Sequence, residues 1–178
     1  MENIGTFIKG IYRDVLKAGD GRIIYDSGWN SNAIVNRCRI LLSGFMKNEA
    51  TQGIQYLAVG QGQEQWDTTG APAPDPAAAD LINRHNPPIP LGELALVYLD
   101  ENENELPISA GPTNRLQITS TLNPGYPPPI APLKTYPLRE FGLFGKFGTT
   151  DYMIDAIRHP VIHKDESATL IRVVRLFF

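Results

Sequence analysis

Prolines and glycines interrupt this sequence so often that they limit the length of any helix it can form. The chain contains 15 prolines and 16 glycines in 178 residues, more than the roughly 12% that these two residue types contribute to average proteins. Proline disrupts a helix interior because it lacks a backbone N–H, and glycine is a poor helix former. The sequence therefore argues against a helical bundle and favours short strands joined by many turns.

Alternating apolar residues predict about eight β-strands. The clearest alternation runs through residues 115–122, whose even-numbered side chains would share one buried face. Residues 169–178 form a second strong strand signal, and the Asp-Gly pair at 20–21 lies between two strand-like runs, which is typical of a hairpin. We therefore predict a mainly β protein, an antiparallel β-sandwich or flattened barrel, formed by a single β-rich domain over residues 1–178.

Two segments have helical features. Residues 32–47 are predicted to form one long α-helix, because apolar side chains recur there at helical spacing. The predicted buried face of this helix consists of Ile34, Cys38, Leu41, Leu42 and Phe45. Its expected N-cap is one of three polar residues, Asn30, Ser31 or Asn32. Residues 76–83 are predicted to form a short helix, since Asp75 could cap it and Pro76 suits a first helical position.

Two long segments lack any periodicity and are predicted to be loop arms. Residues 61–76 contain Ala-Pro-Ala-Pro, and residues 123–137 contain six prolines, which favours extended, exposed chain. We expect both arms to be mobile in the free protein and ordered against a neighbouring subunit, because burial in their own core would not offset the backbone ordering cost of about 1–2 kcal/mol per residue. The interface candidates are Trp66, Tyr126, Pro127, Pro128, Pro129, Phe177 and Phe178.

Charge and cysteine content argue against several classes of function. The sequence has 16 Lys and Arg residues and 19 Asp and Glu residues, a formal net charge of −3, so we expect no nucleic-acid binding through bulk positive charge. The one cysteine, Cys38, is expected to be a small buried hydrophobe rather than a reactive thiol. No apolar stretch approaches the roughly 20 residues of a membrane helix, and the N-terminus does not resemble a secretory signal. We therefore expect neither membrane insertion nor export.

No residue pattern predicts a catalytic centre or a cofactor site. The Gly-Gln-Gly sequence at 60–62 lacks the third glycine and the following helix of a phosphate-binding loop. His159 and His163 would share one face of a strand, with Asp155 or Asp165 as a possible third metal ligand. The two histidines are weak candidates for a metal site, and ordinary surface histidines are the simpler interpretation. We expect no enzymatic activity, no cofactor and no metal.

Four segments together resemble small structural proteins of tailed bacteriophages and related contractile injection particles. The segments are Gly-Trp-Asn at 28–30 leading into an "N-x-I-V … R-x-x-L" helix at 32–42, the strand at 54–62 followed by Trp66-Asp67, Leu-Ile-Asn-Arg at 81–84, and Leu-Arg-Glu-Phe-Gly-Leu-Phe-Gly at 138–145. The last is similar to the "R-E-x-G-L-F" strand of that group. Asn83 and Arg84 depart from the group's Leu-x-x-Glu pattern. The resemblance covers about residues 5–178.

The resemblance implies a non-enzymatic virion component with a β-sandwich-like fold. It would be a repeated subunit of a phage or phage-derived particle, in the tail, baseplate, neck or collar, fibre attachment or capsid decoration. Its partners would be copies of itself and other particle proteins, and it would be made in the bacterial cytoplasm. An alternative from the residues themselves is a carbohydrate-binding or receptor-recognition module with exposed aromatic side chains. The candidates for stacking on a sugar are Trp29, Trp66, Tyr126 and Tyr136.

Overall fold

The computed structural model describes residues 8–178, which form twelve strands and two α-helices. Residues 1–7 of the predicted domain lie outside the described residues. The strands are β1 (Lys9–Lys17), β2 (Ile23–Asp26), β3 (Asn30–Ser31), β4 (Ala33–Ile34), β5 (Thr51–Gly60), β6 (Ile89–Pro90), β7 (Leu94–Tyr98), β8 (Arg115–Leu122), β9 (Thr135–Phe147), β10 (Thr150–Met153), β11 (Asp155–Asp165) and β12 (Thr169–Phe177). The helices are α1 (Asn36–Met46) and α2 (Trp66–Thr69), and a short 3-10 helix spans Leu91–Glu93.

The strands form two antiparallel sheets. The first sheet has the order β2-β1-β12-β8-β7, with β3 also paired to β1, and the second has the order β4-β11-β9-β5-β6, with β10 also paired to β9. The two sheets share one apolar core. Tyr12 of β1, for example, packs edge-on against Phe141 of β9, with ring centroids 5.5 Å apart. The predicted mainly β, sandwich-like fold with one long helix is confirmed, and the additional strands are mostly two-residue pairings.

The long helix begins later than predicted. Residues 30–34 pair as β3 and β4, so α1 begins at Asn36. Val35 occupies the N-cap position, and its side chain makes no capping hydrogen bond. The three polar residues predicted as caps therefore belong to the strand segment, because pairing with β1 and β11 satisfies backbone groups there.

The buried face of α1 also differs from the prediction. The helix buries Cys38, Leu41 and Gly44, whereas Leu42 and Phe45 of the predicted face are exposed. A Cβ at residue 44 would lie 2.6 Å from the ring of Phe147, so glycine allows the helix to approach the second sheet closely. The side of α1 that packs against the protein therefore consists of Cys38, Leu41 and Gly44, while Leu42 and Phe45 face solvent.

No helix forms over residues 76–83, contrary to the prediction. Backbone groups of this segment bond to distant parts of the chain instead. The carbonyl oxygen of Pro76 accepts a hydrogen bond from the N–H of Asn36 at 2.8 Å, and the N–H of Ile82 donates to the carboxylate of Glu140. The segment covers the outer side of the second sheet as an irregular loop.

Candidate functional site

α1 exposes four large apolar side chains together with the polar Asn36, Arg39 and Ser43. Phe45 and Met46 are 67% and 79% exposed, and Ile40 and Leu42 are also exposed. We call these four side chains the α1 surface. Full burial of one such side chain is worth about 1.5–3 kcal/mol, yet nothing in residues 8–178 covers them. Clustered exposed hydrophobic side chains of this kind mark sites of interaction with other molecules.

An open apolar cleft lies beside α1, between the two sheets. Its volume is ≈ 190 Å³, and an apolar cavity of about 150 Å³ is large enough to hold benzene. The cleft is lined by apolar side chains from α1, both sheets and the chain end, chiefly Leu41, Leu42, Ile54, Leu116, Leu176 and Phe178. Leu42 belongs both to the cleft and to the α1 surface, so the cleft adjoins the exposed apolar side chains of α1.

Positive charge borders this apolar region. α1 carries two arginines, Arg37 and Arg39, and no acidic residue. Arg39 also lines a neighbouring hollow together with Lys9 at the start of β1. Lys9 is paired in register with Phe177, next to Phe178 in the cleft wall. The cleft therefore combines a hydrocarbon interior with a basic margin.

Cys38 contributes a sulfur atom to the wall of the cleft but no reactive group. The residue is buried, and burial raises the pKa of its thiol to about 11. The thiol is therefore protonated at neutral pH, and only a thiolate is a good nucleophile or metal ligand. The prediction that Cys38 is a buried hydrophobe is confirmed.

A larger open cleft of ≈ 670 Å³ lies next to β6, which is an edge strand of the second sheet. Its walls include Pro87, Pro88, Tyr126 and the carboxylates of Glu93 and Asp151. The hydroxyl of Tyr126 donates to the carbonyl oxygen of Pro87 at 2.8 Å, and burial raises the pKa of Tyr126 to about 12. This hydroxyl is thus protonated and already bonded within the protein. We refer to this site as the proline-lined cleft.

Trp66 is a core residue and not an exposed anchor. It is 7% exposed, and the guanidinium of Arg158 lies 4.8 Å from the centre of its ring. The adjacent Asp67 accepts two hydrogen bonds from Arg139, at 2.7 and 2.6 Å, and these bonds hold the pKa of Asp67 below its ordinary value. The prediction that Trp66 is an exposed anchor is therefore wrong, because two arginines of the second sheet hold Trp66 and Asp67 against the protein itself.

The remaining interface candidates lie in several environments. Tyr126, Pro129 and Phe177 are half-buried, Pro127 is buried, and Pro128 and Phe178 are exposed. The end of the predicted arm at 123–137 is not exposed loop, because residues 135–137 begin β9 and are paired with β11. β5 ends opposite Glu140, so Pro137 lies where β9 has a single neighbour, as expected for proline in a sheet. Of the candidates, Phe178 is the one that lines the apolar cleft.

The two candidate metal ligands differ in position. His159 is buried, whereas His163 is exposed. A register shift between Arg158 and Ile162 interrupts the pairing of β11, and such a bulge changes which residues share a face. The prediction of a shared face is therefore wrong. Within residues 8–178, no group of three or more His, Cys, Asp or Glu side chains is placed to hold a metal ion.

His159 instead belongs to a buried ionic cluster. Arg172 of β12 donates to both carboxylate oxygens of Asp14, at 2.7 and 2.8 Å, and its Nη2 lies 3.0 Å from His159 Nε2. The guanidinium also lies 3.6 Å from the ring centre of Phe141. Burial, followed by the charge of Arg172, lowers the pKa of His159 to about 4. The imidazole is therefore neutral and accepts from Arg172, and the cluster joins strands β1 and β12 of the first sheet to β11 of the second.

Comparison with protein-family models, curated proteins and solved structures finds no match. In the part of the chain that the structure describes, neither helix is both long and apolar enough to cross a membrane.

Sequence reasoning missed the two most informative features. The α1 surface escaped it because Leu42 and Phe45 were assigned to the inner face of the helix, although Met46 was an apolar residue off that face. The sequence did contain a pattern from which the ionic cluster could have been predicted. Asp14 and Arg172 occupy inward positions in two strands of alternating burial, so two opposite charges at inward positions could have been paired.

Proposed function

We propose that this protein is a non-enzymatic structural subunit of a phage or phage-derived particle. Its place would be in the tail, baseplate, neck or collar, or at a fibre attachment, and its partners would be copies of itself and other particle proteins. The observation that carries the proposal is the α1 surface with the apolar cleft that adjoins it at Leu42. Burying such surface against a neighbour is worth roughly 25 cal/mol per Å², which favours assembly.

In this proposal, the contacts between subunits are made by α1 and not by the loop arms predicted from the sequence. Loop arms were the expected contacts, but residues 61–76 are fastened to the second sheet through Trp66 and Asp67. Neighbours would therefore contact a preformed surface on α1. A preformed surface loses less conformational entropy on binding than a flexible arm does, which suits a subunit that must repeat the same contact many times.

The carbohydrate-binding alternative has weaker support. Trp66 and Tyr136 are buried, so their rings do not present a stacking face. The ring of Trp29 is exposed, but the guanidinium of Arg175 lies 4.4 Å from its centre. Of the four aromatic candidates, Tyr126 lines the proline-lined cleft, and the edge of the largely buried Trp66 lines a hollow of ≈ 390 Å³ beside Arg158. A glycan-binding function would use one of these two sites.

Sedimentation velocity and particle proteomics together test the proposal. We expect the purified chain to form multimers as its concentration rises, and we expect mass spectrometry to detect it in particles purified from the source cells. A protein that stays monomeric and is absent from such particles would contradict the structural role. Binding of the monomer to a glycan array would favour the alternative.

A pair of surface variants makes the test specific to α1. Phe45→Ser removes an exposed ring from the α1 surface and is expected to weaken association. Ile23→Ser is the matched control, because Ile23 is an exposed apolar residue of β2, away from α1. Equal effects of the two substitutions would contradict the role assigned to α1.

A further inference from the structure

The loop between β7 and β8 presents a fully exposed isoleucine. Ile108 has full solvent exposure and lies in a tight turn closed by a hydrogen bond from the N–H of Ala110 to the carbonyl oxygen of Pro107, at 2.8 Å. The base of the loop is held by a bond from the N–H of Leu106 to the carbonyl oxygen of Tyr98, at 2.9 Å. The apolar side chain therefore projects from a structured turn.

The same loop is acidic. Residues 99–114 contain no lysine or arginine, and their carboxylates are Asp100, Glu101, Glu103 and Glu105. Hydrogen bonds from Asn104 hold the pKa of Asp100 below its ordinary value, so it is ionised at neutral pH. Glu103 is paired with Arg175 at 2.7 Å, which leaves the other acidic side chains to give the loop a net negative charge.

The apolar cleft has the complementary properties. It is lined by hydrocarbon side chains and bordered by the basic residues Arg39 and Lys9. We propose that a second copy of this chain covers the cleft, with its Ile108 inserted beside Leu42 and Phe178 and its acidic loop against Arg39. This contact rests on the proposed function, since it would be one of the interfaces of the assembled subunit.

The positions of the loop and the cleft allow the contact to be reciprocal. Asn114, at the end of the loop, accepts a hydrogen bond from the N–H of Phe178 at 2.9 Å, and its side chain donates to the carbonyl oxygen of Phe178 at 3.0 Å. Phe178 lines the cleft, so the loop and the cleft lie at the same end of the molecule. A two-fold axis at that end brings each loop to the cleft of the other copy, as in the dimers most common among symmetric proteins.

Sedimentation equilibrium of the full chain tests the contact directly. Ile108→Ser is expected to raise the dimer Kd at least tenfold, as for an interface anchor, and to leave the unfolding free energy of the monomer unchanged because Ile108 is fully exposed in the single chain. Leu133→Ser is the matched control, since Leu133 is an exposed apolar residue of a different loop. It is expected to leave the Kd unchanged.

Charge reversal tests the electrostatic part of the contact. Arg39→Glu and Glu101→Lys are each expected to weaken association, whereas the protein carrying both substitutions is expected to recover part of the lost affinity. Recovery requires that the two charges meet across an interface. Equal weakening by the single and double variants would contradict that pairing.

Mixing two defective variants distinguishes this contact from one between identical surfaces. A chain with Ile108→Ser keeps an intact cleft, and a chain with Leu42→Asp keeps an intact loop. In the mixed dimer one contact joins the intact loop to the intact cleft, and the other contains both substitutions. Because Ile108 and Leu42 would meet in the same contact, that contact is lost only once, whereas each variant alone loses both contacts; the two variants are therefore expected to associate with each other more tightly than either does with itself. Mixing without any gain would overturn the proposed contact.

The outcomes separate the contact from the proposed function. Association that persists unchanged in Ile108→Ser overturns the contact and leaves the structural role standing. A wild-type chain that binds only another particle protein through the cleft also overturns the contact while supporting that role. A chain that is monomeric at every concentration and absent from particles overturns both.

Discussion

Two regions of this protein depart from the usual distribution of side chains. The interior of the sandwich contains charged residues, and the outer surface of α1 carries large apolar residues. Between the sheets, Asp14 and Arg172 are completely buried and joined by two hydrogen bonds. On α1, Phe45 and Met46 are largely exposed. Charged side chains are almost never fully buried unless they are paired, and clusters of exposed hydrophobic side chains mark surfaces that bind something.

The difference between the two regions is whether the chain supplies the partner. The buried charges of Asp14 and Arg172 are paired within one molecule, although Arg172 Nη1 has no hydrogen-bond partner. The α1 surface has no partner in residues 8–178, so its free energy falls when a second molecule covers it. Substitutions in the interior should therefore change the stability of the single chain, whereas substitutions on α1 should change association.

Breaking the buried ion pair should have the largest effect on stability. Arg172→Met leaves the carboxylate of Asp14 buried without a partner, and removal of one member of a buried pair costs about 3–5 kcal/mol. Urea unfolding measures this loss. The double variant Asp14→Leu with Arg172→Met replaces both charges by hydrocarbon and should recover most of the lost stability.

A control on the same strand sharpens that measurement. Arg175 points to the opposite face of β12 and pairs with the exposed carboxylate of Glu103 at 2.7 Å. Arg175 also donates to the buried Gln117 at 2.9 Å, so Arg175→Met should cost about 1–2 kcal/mol, less than Arg172→Met. Similar losses for Arg172→Met and Arg175→Met would contradict the importance of the buried pair.

Trp66→Ala should have the second-largest effect. The indole is buried against Arg158, and replacing a buried tryptophan by alanine costs about 3 kcal/mol. Thermal and urea unfolding of the monomer measure the loss, and Trp66→Phe should retain most of the stability because it keeps an aromatic ring. An unchanged stability would instead restore the interpretation of Trp66 as an exposed anchor.

Acid should weaken the fold through His159. Its folded-state pKa of about 4 lies below the ordinary value of about 6.5, so the unfolded chain binds more protons between these pH values. Stability from this group is complete above pH about 6.5 and is lost as the pH falls towards 4, by roughly 2–3 kcal/mol. The difference in unfolding free energy between wild type and His159→Gln isolates this contribution, and a difference independent of pH would contradict it.

The comparison with His159→Gln is needed because a second buried group, Asp155, changes the stability with pH in the opposite direction. Burial raises the pKa of Asp155 to about 7, so the folded chain holds that proton more tightly than the unfolded chain does. Its contribution therefore lowers stability as the pH rises from about 4 to 7. Asp155 titrates in wild type and in His159→Gln alike, so its effect cancels in the comparison.

The regular strands were predictable because one face is buried and the other is not. Residues 115–122 alternate cleanly, and β8 spans those residues. The short strands β3 and β4 were not predictable, because their pairing depends on β1 and β11, which are distant in sequence. The same pairing delays the start of α1, since local helical spacing carries no information about tertiary partners.

The candidate site was harder to predict than the fold. Trp66 lies in a segment without periodicity, and its burial depends on Arg158 from a distant strand. The exposed side of α1 depends on the close approach at Gly44, which turns Phe45 outward. The spacing of hydrophobic residues shows that a helix is amphipathic. A small residue such as Gly44 can nevertheless change which side of the helix packs against the sheet.

The smallest effect on stability is expected from Phe45→Ser. The ring of Phe45 is 67% exposed, and substitutions at exposed positions usually change the unfolding free energy by no more than about 0.5 kcal/mol. Leu41, one turn earlier on the same helix, is buried, so Leu41→Ser should cost about 2–5 kcal/mol through loss of packing.

The two substitutions should therefore separate stability from association. Urea unfolding of the monomer should distinguish Leu41→Ser from wild type but not Phe45→Ser, while sedimentation should show weaker association for Phe45→Ser. Loss of monomer stability in Phe45→Ser would mean that its own chain covers the ring. In that case the contrast between a paired interior and an unpartnered α1 surface would fail, because both regions would be satisfied within one molecule.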